Sequence, residues 1–242
     1  MQRFWKALNA LYAWCVILAF GIVTLVGVWQ MYDNYYLFSH AIDSGITRYK
    51  PVPGQEAAEP SPITDEMVAW ITLDGTGVDF PVMQGEDNYE FLNKDPYGDY
   101  SLSGSVFLDC RSSPDFTDDF SMIYGHHMDY GRLFGALDAY LDEDYFREHT
   151  AGTLTIGRNA EQARGLRVFA VMRTNAREKI LFDLEQENVR QFIHDQAELL
   201  SEESGERIIA LSTCADSDLL ARVVVFCYIT EDETNQPGAG RP

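Results

Sequence analysis

Residues 207–229 read RIIALSTCADSDLLARVVVFCYI. Two strongly apolar runs, Arg207–Ser212 and Arg222–Ile229, flank a polar turn at Ala215-Asp216-Ser217-Asp218. Runs this short, bounded by turn signals, read as buried strands. The pattern recurs upstream. Met67–Leu73 and Val78–Met83 read as strands about the turn Asp74-Gly75, and Pro81 predicts that the second is an edge or a bulged strand, because proline donates no ladder hydrogen bond. Ser105–Asp109, Phe120–Tyr124, Thr153–Ile156 and Leu166–Met172 are further strands. Two segments carry helical periodicity. They are Leu137–His149, with Leu137, Tyr140, Leu141 and Tyr145 near one face, and Asn188–Leu200, with Val189, Phe192, Ile193 and Leu200 on a stripe. Many strands and few helices predict a mainly β domain of barrel type with helices laid on its outside.

The rest of the chain frames that domain. Of 242 residues, 46% are hydrophobic and 13% aromatic, enough to bury a sizeable core. Eighteen basic residues face 38 acidic ones, a net charge of −20. That balance argues against nucleic acid as a partner, because its phosphates call for a basic face. No charge occurs between Lys6 and Asp33, and the apolar heart from Ala10 to Trp29 spans about 20 residues, the length a helix needs to cross a bilayer. It is longer than a signal-peptide core and lacks a small-residue cleavage site. It reads as an uncleaved signal anchor. Arg3 and Lys6 precede it, so the positive-inside rule puts the N-terminus in the cytoplasm and the remainder outside the cell membrane, a single-pass topology. The expected organisation is an anchor over 1–32, a juxtamembrane helix and proline-rich linker over 33–62, the β domain over 63–230 and a disordered tail over 231–242.

Three residues at strand ends carry chemistry together. Cys214 ends one apolar strand, and Arg222 opens the next, eight residues on. His126, in Gly125-His126-His127, ends the strand that begins at Phe120. A thiolate nucleophile is favoured by cationic neighbours. Its leaving group needs a proton donor, and the developing oxyanion needs a fixed positive partner. His126, Cys214 and Arg222 supply those parts without a cofactor. The other histidines have no spacing that completes a metal site, and the four cysteines form no CxxC pair. The cluster Asp115, Asp118 and Asp119 lacks an EF-hand pattern.

The order histidine, cysteine, arginine resembles the sortases, and the wider set resembles class B. The resemblance runs through Tyr89–Asn93, Gly104–Asp109, Ile123–Met128, Leu133–Gly135, Leu211–Cys214 and Ala221–Val225, and covers about Val68 to Ile229. It implies the sortase closed β-barrel with peripheral helices, and a cysteine transpeptidase. Cys214 would be the nucleophile, His126 the acid and base, and Arg222 the stabiliser of substrate and oxyanion. Asn93, Tyr124, Ser212 and Thr213 match positions lining the substrate groove, and His127 is a neighbour with a supporting role. The implied substrates are secreted proteins bearing a C-terminal sorting signal, cut after threonine. The implied acceptor is an amine of the peptidoglycan cross-bridge or a pilin lysine. Position 215 is alanine where many class B members are acidic, which leaves Asp216 to substitute. Cys110 and Cys227 lie outside the catalytic pattern and could pair as a disulfide. Two further readings remain: a papain-like hydrolase, which usually has its cysteine before the histidine and at a helix start, and a non-catalytic binding module with Cys214 structural.

Overall fold

The computed structural model describes residues 1–40, 45–55, 60–184, 187–202, 204–214 and 221–230, with 33–40, Asp129 and Cys214 described by their backbone alone. Helix α1 (Gln2–His40) stands as a unit by itself. Its stretch Gln2–Tyr32 is long and apolar enough to cross a membrane. Phe4, Leu11, Trp14, Leu18, Phe20 and Leu25 are all exposed. A helix that is apolar all round has no polar face to turn to water, so a hydrocarbon environment suits it.

The second unit is the β domain. Its strands are β1 (Met67–Leu73), β2 (Asp79–Met83), β3 (Val106–Leu108), β4 (Phe120–Met128), β5 (Arg132–Leu133), β6 (Ala151–Ile156), β7 (Gln162–Asn175), β8 (Leu199–Leu200), β9 (Arg207–Cys214) and β10 (Ala221–Thr230). Eight of them pair in the order β10-β9-β4-β3-β2-β1-β6-β7, and β7 pairs β10 to close the ring. Closure removes the exposed edges that an open sheet would present. β5 pairs β4, and β8 pairs β7.

Side chains alternate between two buried layers, as the two-residue period of a strand requires. Ile71, Ile123, Leu211, Val225 and Cys227 fill the interior together with Phe134, Leu137 and Tyr140 from the 3-10 segment Phe134–Leu141. Their neighbours Trp70, Met122, Ala210, Val224 and Phe226 point outward, into a second layer completed by Ile46, Phe91, Leu181, Val189 and Ile193. Burial on both faces is why β9 and β10 are apolar almost without interruption rather than alternating.

Three local expectations are corrected. Leu137–His149 is not one helix: the 3-10 segment stops at Leu141, and a separate α2 (Glu143–Glu148) starts, because the Asp142 side chain caps the amide of Tyr145. In Asn188–Leu200 the helix α4 spans Val189–Gln196 only; Leu199 and Leu200 leave it to pair with Val171 and Ala170. β2 is not an edge strand, since β1 and β3 flank it. Pro81 fits because the β3 pairing begins one residue later, at Val82, and the bulge lies in β1, between Met67 and Ala69. The polar turn at 215–218 and the tail 231–242 lie outside the described residues.

Ahead of the barrel, Lys50 is tied to it. Lys50 Nζ, Trp70 Nε1 and Thr72 Oγ1 all donate to Asp79 Oδ1, at 2.8, 2.7 and 2.9 Å. Burial alone would raise the Asp79 carboxyl, but these donors hold it below its usual value.

Candidate active site

β4 and β9 are parallel neighbours, so their C-terminal ends lie at the same rim of the barrel. Their register runs Tyr124↔Ser212, Gly125↔Thr213, His126↔Cys214. A histidine and a cysteine 88 positions apart are therefore paired residues on adjacent strands. Arg222 joins them from β10, which lies antiparallel on the other side of β9. Its Nη1 donates to the carbonyl of Thr213 at 2.6 Å. That carbonyl belongs to the peptide whose nitrogen is Cys214's own, so the guanidinium is held one peptide from the cysteine. Ser212 Oγ donates to the same carbonyl at 3.2 Å. The guanidinium also lies over the Phe182 ring, 5.3 Å from its centre, a cation–π contact.

The glycine before the histidine has a steric reason. A Cβ on Gly125 would come within 2.6 Å of Cγ of Phe134, which is fully buried. A Cβ on Gly135 would fall 1.9 Å from the carbonyl oxygen of Met128. Gly125 and Phe134-Gly135 are thus the two sides of one close contact between β4 and the 3-10 segment. His127, the next residue, is exposed and hydrogen bonds Asp138 at 2.8 Å. It faces away from the rim shared with Cys214, as strand alternation requires.

Below His126 lies a buried polar knot that sequence reasoning left without a role. Asp109, 0% exposed, accepts from Arg111 Nε and Nη2 at 2.8 Å each, from Asn88 Nδ2 at 2.8 Å and from the Tyr124 hydroxyl at 3.1 Å. Burial would raise the Asp109 carboxyl; the Arg111 hydrogen bonds and charge outweigh it and hold it below its usual value. Burial and the Asp109 charge push the Tyr124 phenol well above its ordinary range, so it stays a neutral donor. The signal in the sequence was a charged pair, Asp109-x-Arg111, ending an apolar strand.

The remaining expected groove residues differ in their placement. Asn93 is exposed, after the 3-10 turn Glu90–Leu92. Tyr124 is buried to 9% exposure. Ser212 and Thr213 are buried, and the Thr213 hydroxyl accepts from the Val223 amide at 3.1 Å, which bonds β9 to β10. Their hydroxyls are engaged within the protein. Cys110 and Cys227 are free thiols and do not form a disulfide. Cys227 faces the barrel interior, and burial pushes its thiol up to about 12. Asp118 accepts from the Ser113 amide and hydroxyl, and Asp115 from Thr117, so both carboxylates serve the local loop. Among the described residues no group of three or more His, Cys, Asp or Glu side chains is arranged to hold a metal.

The sequence pattern of the sortase domain matches residues 71–230. The chain belongs to the sortase family. Its curated relatives include sortase B of Staphylococcus aureus, 26% identical over 95% of this chain and 98% of that one, and sortase B of Listeria monocytogenes, 32% identical over 44% of each. Among solved structures, a class B sortase of Streptococcus pyogenes involved in pilus biogenesis superimposes with a TM-score of 0.62 at 35% identity, covering 68% of this chain and 92% of that one. S. aureus sortase B in complex with MTSET gives 0.63 at 26% identity, covering 71% and 76%. This sortase is of class B, and it is a cysteine transpeptidase with the closed eight-stranded barrel of its relatives.

Proposed function

We propose that this sortase is anchored by α1 in the cell membrane, with its N-terminus in the cytoplasm and its catalytic domain (63–230) outside, and that it joins secreted proteins to an amine of the cell-wall cross-bridge. The cysteine of the reaction is Cys214, the proton carrier His126 and the oxyanion partner Arg222. The observation that carries the reading is the pairing of His126 with Cys214 across two parallel strand ends, with Arg222 on the Thr213 carbonyl.

In the first half-reaction the Cys214 thiolate attacks the carbonyl carbon of the threonine in the sorting signal. The oxygen gains negative charge, which the Arg222 guanidinium offsets. The carbon–nitrogen bond breaks, and His126 protonates the departing amine. In the second, the acceptor amine attacks the thioester and gives a proton to His126, and Cys214 leaves as thiolate. Asn93 and Tyr124 contribute to the substrate groove. Ser212 and Thr213 act beneath it by holding the peptide that bears Cys214.

The acceptor has a second candidate. The Streptococcus pyogenes relative involved in pilus biogenesis is more similar in sequence, at 35%, than the staphylococcal sortase B, at 26%. That favours a pilin lysine as an alternative to the cross-bridge amine.

One experiment tests both levels. The full-length protein in detergent micelles is incubated with sorting-signal peptides of the Asn-Pro-x-Thr and Leu-Pro-x-Thr types, with triglycine or a lysine-bearing pilin peptide as acceptor, and products are read by mass spectrometry. A thioacyl adduct on Cys214 and a Thr–Gly ligation product are expected. Cys214→Ala and His126→Ala each abolish turnover with the fold intact, and Arg222→Lys impairs it, because lysine lacks the planar fork. Near-normal turnover of Arg222→Lys would remove Arg222 from the mechanism. Cleavage to the free acid with ample amine present would favour a hydrolase, and preference for the pilin peptide would favour the polymerase reading.

A further inference from the structure

The Arg222 guanidinium rests on two supports, the Thr213 carbonyl and the Phe182 ring. The first belongs to the barrel. The second does not: Phe182 ends the short helix α3 (Lys179–Phe182), in the long connection between β7 and β9. Something must fix that connection if the ring is to hold a guanidinium still. The structure supplies a polar anchor at this point. Arg111 Nη2 donates to the Phe182 carbonyl at 2.7 Å while its Nη2 and Nε together grip both oxygens of Asp109. Asp109 is in turn held by Asn88 and, through its own amide, by the Met122 carbonyl of β4.

We propose that Asp109 and Arg111 are positioning residues of the transpeptidation: they pin Phe182, and through its ring they fix the Arg222 guanidinium for the oxyanion. Asp109 also accepts the hydroxyl of Tyr124, two residues before His126 on the same strand. One buried carboxylate thus braces the histidine strand and, through Arg111 and Phe182, the arginine opposite it. The fork of Arg111 is what the link requires. Its planar N–H groups span a carboxylate and a carbonyl at once, whereas a lysine ammonium keeps the charge without the span. The inference rests on the role given to Arg222 above.

The test uses the full-length enzyme in detergent, with Arg111→Lys and Phe182→Leu. Arg111→Lys leaves Asp109 with a cationic partner, and Phe182→Leu keeps an apolar side chain, so both variants preserve the fold. Hydrogen exchange reads the link directly: in Arg111→Lys the amides of residues 179–184 lose protection while those of β4 and β9 do not. Kinetics on a peptide cleaved by the wild type read its consequence. Each variant lowers kcat by roughly tenfold, equivalent to about 1.4 kcal/mol, with KM changed less than about twofold, because an oxyanion contact exists only in the transition state. In an Arg222→Lys background either substitution adds less than about twofold, as it acts through a contact already lost. Unchanged exchange, a loss confined to KM, or penalties that multiply with Arg222→Lys each overturn the inference while leaving the functional reading standing. A wild-type enzyme that acylates on no peptide overturns the functional reading and this inference with it.

Discussion

Replacing Gly125 by alanine measures how tightly the histidine strand is seated. The added methyl carbon would stand 2.6 Å from Cγ, 2.8 Å from Cδ2 and 3.0 Å from Cδ1 of Phe134. Ordinary carbon contacts begin near 3.5 Å, so the ring or the strand must yield by about 0.9 Å. Phe134 is 0% exposed and packs among the interior side chains, so it has no free space to enter. Overpacking of this kind costs about 1–3 kcal/mol. For a domain of this size that is a fall in Tm of roughly 2–12 °C. The assay is urea denaturation of Gly125→Ala, of Phe134→Leu and of the double variant, followed by tyrosine and tryptophan fluorescence. Phe134→Leu leaves a small cavity and is destabilising alone. The methyl introduced by Gly125→Ala fills part of that space, so the double variant is more stable than the sum of the single penalties by about 1 kcal/mol or more. Because His126 follows directly, turnover of Gly125→Ala falls and returns in part in the double variant. A Gly125→Ala protein within about 0.5 kcal/mol of wild type, or strict additivity in the double, would show that the contact with Phe134 is not what requires glycine.

Two acids, the buried Cys227 thiol and the half-buried Asp79 carboxyl, give pH-dependent predictions. The Cys227 thiol is raised to about 12 by burial, so the unfolded chain ionises first and stability falls as pH rises from about 9 towards 12. The loss from this group reaches about 1.4 kcal/mol by pH 10, and denaturation titrations of Cys227→Ala, which has no thiol to ionise, should lack that share of the alkaline slope. Asp79 is held below its usual value against the pull of burial by hydrogen bonds from Lys50, Trp70 and Thr72. Its contribution is present above the ordinary carboxylate range and is lost as pH falls through the folded value. With 37% of its side chain exposed, water screens the Asp79 charge, so Asp79→Asn costs at most about 1 kcal/mol at pH 7, and the difference from wild type closes in acid; a gap that persists unchanged at pH 2 would contradict the assignment.

The strands most legible in the sequence were those buried on both faces. Arg207–Ser212 and Arg222–Ile229 are apolar almost throughout because one set of side chains fills the barrel and the other lies under α3, α4 and the segment before β1. The helix expected over Leu137–His149 failed for a local reason: Asp142 caps a new helix instead of continuing the old one. Pro81 misled for a tertiary one, since whether a proline sits at an edge depends on where the neighbouring strand begins. The polar knot of Asp109 was invisible as such. Its residues Asn88, Arg111 and Tyr124 come from three separate segments, and only their convergence makes a buried carboxylate tolerable.

Residue type and local order were enough to set the chemistry available: an uncharged N-terminal run, a thiol, an imidazole and a guanidinium each at the end of an apolar run, and a glycine before the histidine. Side-chain chemistry and strand period dictate these features without reference to distant contacts. Tertiary packing made the other choices. It set β4 and β9 as parallel neighbours in a register that pairs His126 with Cys214, and it laid Arg222 against both the Thr213 carbonyl and a ring from the β7–β9 connection. The physical reason is that strand pairing is non-local. Any apolar strand can satisfy its hydrogen bonds against many others, and the choice among them is made by closure of the barrel and by the fit of the two layers of side chains that closure buries.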